Sequence, residues 1–189
     1  MNTRAFFLIG LLIFSLLSPS GAVLPSNVAA TESAPPVTDD ANQGASRELQ
    51  FFREAKVSLR RAIKIAEKLH TGSRALDIKF DILAGSAVYW VRTMRNTQIW
   101  ENAIDAKTGS VARKEAASSL EGRDAELPDL KSVRQELSDA VAIAEKVTKG
   151  SAISAALISR DGRLNFLILI VSGDQLKEVT LEPPRVRRT

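Results

Sequence analysis

The sequence predicts an α+β fold built twice over, on three observations. A stretch from Leu59 to Ser73, LRRAIKIAEKLHTGS, returns from Leu137 to Ser151 as LSDAVAIAEKVTKGS, with eight of fifteen positions identical. Both copies carry apolar residues at helical spacing and close on a glycine. After each glycine the apolar period changes from helical to two, the spacing of a half-buried strand.

In the first copy Leu59, Ala62, Ile63, Ala66 and Leu69 form one apolar stripe; in the second, Leu137, Ala140, Val141, Ala144 and Val147 do so. Gly72 and Gly150 follow the stripes, where a left-handed residue ends a helix at little cost. Phe52 and Ala55 extend the first stripe backwards, and Leu130 and Val133 the second. Pro128 suits a helix start, whereas Ser58 suits the cap of a fresh helix after a break at Val57; a long helix and a broken pair both fit. Ile65 and Ile143 lie about 100° off their stripes on a 3.6-residue wheel. An apolar residue repeated there points to contact beyond the helix's own sheet, such as with the linker.

ALDIKFDIL places Leu76, Ile78, Phe80 and Ile82 on one strand face and Asp77, Lys79 and Asp81 on the other. Turns at Ala84–Ser86 and Arg95–Asn96 separate it from AVYWVRTM and TQIWENAI, and DAKTGSV closes the copy with Gly109 supplying positive φ. The second copy repeats the order with AISAALIS, RLNFLILIV and QLKEVTLE, separated at Asp161-Gly162 and Ser172-Gly173-Asp174. Short strands with tight turns pair antiparallel. The expectation is two tandem modules, each an amphipathic helix packed on a three-stranded antiparallel sheet.

The chain has 189 residues and a formal charge of +4. Arg4 precedes the apolar run Ala5–Leu17, which is short of the roughly 20 residues of a bilayer-spanning helix and fits the core of a secretory signal. Ser20 with Ala22, or Val28 with Ala30, satisfies the small-residue requirement for cleavage after Ala22 or Ala30; an uncleaved anchor is the other reading. No cysteine follows, so a lipid-modified N-terminus is not expected, and disulfides take no part in stability. Thr31–Ala45, rich in Pro, Asp, Ser and Thr, reads as a disordered leader. The organisation expected is a signal peptide over 1–30, leader over 31–45, modules over 46–115 and 129–189, and a linker over 116–128. The second module carries a basic tail. Ser46–Glu115 holds fourteen Lys/Arg against eight Asp/Glu, and Asp129–Glu182 seven against eight. That asymmetry permits attraction of the first copy to an acidic surface.

Helix, IAEK, glycine, three strands and a terminal DAKTG together resemble the PepSY domain family, small modules of secreted and envelope proteins and of thermolysin-type peptidase propeptides. The resemblance covers roughly Phe52–Lys114 and again Leu130–Val186. The first copy is fuller, with VSLRRAIKIAEK, VYWV and NAIDAKTGSV. The second departs at LEPPRV, where Pro183 and Pro184 remove two backbone donors, so the closing turn is not expected to form. The resemblance implies a non-catalytic regulatory or binding module.

The residue inventory offers little to an enzyme. His70 is the one histidine, so neither a His–His zinc site nor HExxH exists. It sits in the last turn of the first helix, where histidines meet C-terminal carbonyls. Asp77 and Asp81, with Lys79 between them, read as a solvated strand face. Asp105 reads as a turn residue bonding its own backbone. No cofactor, metal or catalytic residue is expected. Neighbours on a strand point oppositely, so if Tyr89 and Val91 pack on the helix, Trp90 and Arg92 face away from it. With Trp100 they are the candidate partner-binding residues, because aromatics and arginine are enriched at binding hot spots; burial by the other copy is the plainer alternative. LNFLILIV, Leu164–Val171, is almost continuously apolar, which suits a strand covered on both faces, by the first copy or a partner subunit. Phe166 and Leu167 point opposite ways and test this.

These readings make the protein periplasmic or secreted and non-enzymatic. It would bind and modulate another envelope or secreted protein, a peptidase among the candidates, with no nucleic-acid partner and no transmembrane segment in the mature chain; a homodimer stays open. Strand addition is the simple binding mode. The alternative is an envelope structural or sensory module that binds an anionic surface or small ligand through the basic first copy.

Overall fold

The computed structural model describes residues 39–119, 130, 133–160 and 163–184. The expected signal peptide, the first part of the leader, the turn at Asp161-Gly162 and most of the linker lie outside them. The described residues form one compact unit. Its elements run α1 (Asp39–Arg53), α2 (Leu59–Leu69), β1 (Arg74–Leu83), β2 (Ser86–Arg95), β3 (Gln98–Asp105), β4 (Val111–Ser119), α3 (Leu137–Thr148), β5 (Ser151–Arg160), β6 (Arg163–Ser172) and β7 (Gln175–Leu181).

All seven strands belong to a single antiparallel sheet, ordered β4-β3-β2-β1-β5-β6-β7. This corrects the expectation of two separate three-stranded sheets. The first strands of the halves, β1 and β5, pair with each other over Asp77↔Ala156, Ile78↔Ala155 and Lys79↔Ser154. Each thereby closes the other's open edge, which would otherwise expose unpaired backbone groups. Both strands bulge near their starts, at Ala75/Asp77 and Ala152/Ser154. α2 and α3 lie side by side on one face and touch. One apolar cluster joins them to the sheet: Leu59, Ile63 and Val141 meet Ile78, Tyr89, Val91, Phe166 and Ile168. Ala62, Ala66, Ala140 and Ala144 are fully buried. Their short side chains let the helices approach closely, and each large residue buried beneath them contributes about 2 kcal/mol.

The helices are related by 78 residues, Leu59 to Leu137, but the strands by 77, Arg74 to Ser151, Ser86 to Arg163 and Gln98 to Gln175. The second helix-to-strand turn is therefore one residue shorter, and the repeated glycines do different work. Gly72 takes the left-handed conformation, φ +80°; in the second half Lys149 takes it, φ 54°. Gly150 is instead required by space, since a Cβ there would meet Ile170 Cγ2 and the Val171 carbonyl oxygen at 2.5 Å. The expected cap at Gly150 is thus displaced by one residue.

Three further expectations change. The first half has a fourth strand, β4, because the Asp105–Ser110 turn sends the chain back antiparallel to β3. β4 runs to Ser119, into the stretch read as linker. α1 begins at Asp39, so residues 39–45 of the supposed disordered leader are helical. The anchor comes from further along the helix: Phe52 sets its ring edge against Phe80 at 5.3 Å, and Arg53 bonds the Gly173 carbonyl and Asp174. The choice left open at Val57 resolves as a break, with the Ser58 hydroxyl accepting from the Arg61 N–H at 3.3 Å. Leu130 and Val133 precede α3 rather than extend it. Arg74 holds that lead-in, donating to the carbonyls of Leu130, Val133 and Gln135 at 2.6–2.9 Å.

Candidate binding surfaces

The helices cover one face of the sheet; β-strand parity sends alternate residues to the other. Tyr89 and Val91 join the helix-side core, and Tyr89 donates its hydroxyl to the Val57 carbonyl at 2.9 Å. Burial, then Glu145 nearby, raises the Tyr89 phenol well above its ordinary range. Trp90 lies on the outer face and is only 9% exposed, packed with Val88, Ala103 and the edge of Leu83. Arg92, also outer, donates Nε to Asp77 Oδ2 at 2.7 Å, and its Nη2 reaches the same carboxylate. That bond to Asp77 raises its basicity further.

Trp100 does not join them. It stands opposite Thr93, on the helix side, stacked on His70 with ring centroids 4.4 Å apart and planes 12° from parallel. Arg95 approaches its ring at 5.6 Å. Hairpin parity carried this signal, since a two-residue turn after β2 sets Trp100 against a residue of the Tyr89–Val91 face. His70 differs from expectation too, using its ring on Trp100. Its Nε2 is buried near the Asn102 amide without a hydrogen-bonded partner. Burial above all, with Lys114 and Arg95 assisting and the neighbouring Asn102 amide opposing, lowers its pKa.

Around that ring lies a polar pocket of the core. Ser73, Thr93 and Asn102 are buried, and the Ser73 hydroxyl, Thr93 hydroxyl and both Asn102 amide atoms lack partners. At the equivalent strand positions the second half has Gly150, Ile170 and Val179. Asp105 behaves as expected: Oδ1 accepts from the Lys107 and Thr108 N–H groups and the Thr108 hydroxyl at 2.7–2.9 Å. The Thr108 N–H leads the causes that hold its carboxyl below the usual range.

The outer face changes character across the β1–β5 seam. Asp77, Lys79, Asp81, Trp90 and Arg92 on β1 and β2 become Ser154, Ala156, Ile158, Leu167 and Leu169 on β5 and β6. Phe166 is 1% exposed against the helices, and Leu167, pointing away, is half-buried. Neither is fully in water, yet no described element lies over Leu167 as a second layer. The large apolar side chains exposed among the described residues are Ile143 (45%), Val147 (74%) and Leu176 (51%). Ile65, the counterpart of Ile143, is covered by the β3–β4 turn: its Cδ1 lies 3.2 Å from where a Cβ on Gly109 would stand. So the off-stripe isoleucine of the first half meets a turn, and that of the second is left outside.

The repeated glutamates, which the sequence reading passed over, lock helix to strand. Glu67 accepts from the Ala75 N–H and Glu145 from the Ala152 N–H, each at 3.0 Å. Their identity at matching positions was the available signal. Two open clefts flank the helix lead-ins, about 480 Å³ beside Arg74 and Val133 and about 440 Å³ beside Val57 and Ser151. On α2, Arg60, Arg61, Lys64 and Lys68 are exposed; Ser138, Asp139, Ala142 and Lys146 replace them on α3. No described helix is long and apolar enough to cross a membrane. Among the described residues no group of three His, Cys, Asp or Glu could hold a metal.

Residues 56–115, covering α2 through most of β4, match the PepSY family model, described as peptidase propeptide and YPEB domain. Of solved structures, one of a candidate lipoprotein from Clostridium difficile 630 is similar at 20% identity and a TM-score of 0.41, over 68% of this chain and 88% of that one. No curated protein matches the chain.

Proposed function

We propose that the protein is a non-catalytic, extracytoplasmic binding module that restrains a peptidase or a comparable envelope protein, with its second half a further PepSY-like unit. The observation that carries this reading is the family match over Lys56–Glu115, in a family of generally non-catalytic propeptide and regulatory domains. The fold supports it. A two-layer α+β body with helices on one side leaves a sheet face and the outer edges of β4 and β7 for a partner. Titrating the purified protein into a thermolysin-type metallopeptidase, with a quenched peptide substrate, should give a saturable loss of activity. Activity unchanged at a large excess removes the peptidase reading.

The exposed cations of α2 favour a second reading, attachment to an anionic envelope surface. Binding to anionic vesicles that disappears between about 50 and 300 mM salt supports it; salt-insensitive or absent binding removes it.

A further inference from the structure

Among the described residues the second half shows no counterpart of what closes the first. β3 carries β4 on its free edge, and the turn between them covers Ile65. β7, the counterpart of β3, ends the sheet with one row of backbone donors and acceptors unpaired by any described strand. Glu182, Pro183 and Pro184 continue the chain without forming a strand. Ile143, the counterpart of Ile65, and Val147, one helical turn further along, stand exposed on α3.

We propose that β7 and the bare side of α3 receive an extended strand from a partner protein, docked antiparallel to β7 as β4 is docked on β3. This rests on the binding reading above and specifies its site. The incoming strand is apolar toward α3, places a small residue over Ile143 in the manner of Gly109, and carries a cation against Glu178. The cation follows from comparing equivalent glutamates. Glu101 has Arg92 beside it across β2–β3; the residue facing Glu178 across β6–β7 is Leu169, and Glu178 makes no ion pair among the described residues. A second copy of this chain fits less well. Two β7 strands overlapping over all of Gln175–Leu181 would centre on Glu178 and set the carboxylates against each other, which is destabilising.

The first half supplies a probe. A labelled peptide spanning Ile104–Ser119, IDAKTGSVARKEAASS, carries the turn and strand; Glu115 faces Glu101 in the native register and would face Glu178 on β7. Fluorescence anisotropy should show saturable binding, about three- to fivefold tighter for the Glu115→Lys peptide. Glu178→Lys in the protein should reverse that order. Ile143→Lys should weaken both peptides about tenfold, with circular dichroism unchanged because the residue is already 45% exposed. No saturable binding by about 1 mM, or two peptides of equal affinity that ignore both protein variants, overturns the strand site. A dimer seen by light scattering and dissolved by Ile143→Lys also overturns it, since a second copy is then the occupant. Peptide binding without peptidase inhibition leaves the strand site and removes the regulatory reading; inhibition untouched by Ile143→Lys and Glu178→Lys does the reverse.

Discussion

Ser73, Thr93 and Asn102 in the first half occupy the places of Gly150, Ile170 and Val179 in the second, at the helix-to-strand turn and on the second and third strands of each half. The first set buries polar atoms without partners; the second fills the space with carbon. The outer face repeats the contrast, with the Asp77–Arg92 ion pair in the first half and Ala156, Ile158, Leu167 and Leu169 in the second. The same backbone tolerates both solutions. What the halves share is therefore what the fold needs: small residues on the inward helix faces, a large residue at Tyr89 or Phe166, and the glutamate that ties helix to strand. What differs is free to serve binding, and the difference can be tested position by position.

The glycines should separate most widely. Gly150→Ala forces a methyl against Ile170 and a backbone carbonyl, so about 3 kcal/mol should be lost in urea unfolding, the upper end of overpacking. Gly72→Ala meets only Arg95 Cδ at 3.6 Å and bears the left-handed strain, about 1 kcal/mol. Equal losses would mean that the two turns are equivalent after all. Next come Thr93 and Ile170. Ile170→Thr removes packing and buries a hydroxyl beside apolar neighbours, which should cost about 2 kcal/mol. Thr93→Val keeps the shape and removes an unpartnered hydroxyl, so it should be neutral or stabilising by up to about 1 kcal/mol. A clear loss on Thr93→Val would show that the polar pocket holds a bonded guest, such as water.

How far the sequence reached is clearest at particular residues. The helices and strands were legible because apolar periods of 3.6 and 2 are local. The Ser58 break and the Asp105 turn were legible because capping and turn chemistry are local too. The β1–β5 seam was not, since nothing local distinguishes a strand edge that pairs within its own half from one that pairs 77 residues away. The solvated face read at Asp77, Lys79 and Asp81 says nothing of edge pairing: Lys79 is exposed while β1 is paired on both sides. β4 escaped because VARKEAASS has no alternating apolar face, its register being imposed by the preceding turn. The start of α1 escaped because composition argued for disorder over 31–45, while the stripe continued back only to Phe52. Of the candidate site, the outward direction of Trp90 and Arg92 was legible from parity. Their burial and pairing with neighbours was not, because cross-strand partners depend on register. Ile143 stands off the stripe in the sequence, but its exposure follows from there being, among the described residues, no turn over it like the one over Ile65.

Where the halves agree, matched substitutions should agree. Glu67→Ala and Glu145→Ala each remove a charge-assisted bond to the first strand's backbone, so both should cost about 1.5 kcal/mol and match within about 0.5 kcal/mol. A large inequality would show that one glutamate is incidental and the repeat less deep than its identities suggest.

The helix starts give the smallest effect and the finest test. α2 begins on Ser58, whose hydroxyl caps the helix; α3 begins on Glu136, whose side chain makes no cap bond and reaches Lys64 at 2.5 Å instead. Ser58→Ala should therefore cost about 1 kcal/mol at every pH. Glu136→Gln should cost only about 0.5 kcal/mol at pH 7, because both side chains are more than a third exposed, 49% and 42%, and solvent screens the pair. Its pH dependence identifies it. The bond to Lys64 lowers the Glu136 carboxyl below its ordinary 4.5, so the contribution is present above that value and fades as pH falls through the lowered one. The same bond raises Lys64 above 10.5, so the contribution is complete below 10.5 and is lost as pH rises through the raised value. Wild-type and Glu136→Gln stabilities should accordingly converge in acid and again in strong base, and at pH 7 in about 1 M salt. Ser58→Ala should stay offset throughout. Were Glu136→Gln to keep its offset in acid, the residue would be acting as a cap, and the two helix starts would be alike in kind.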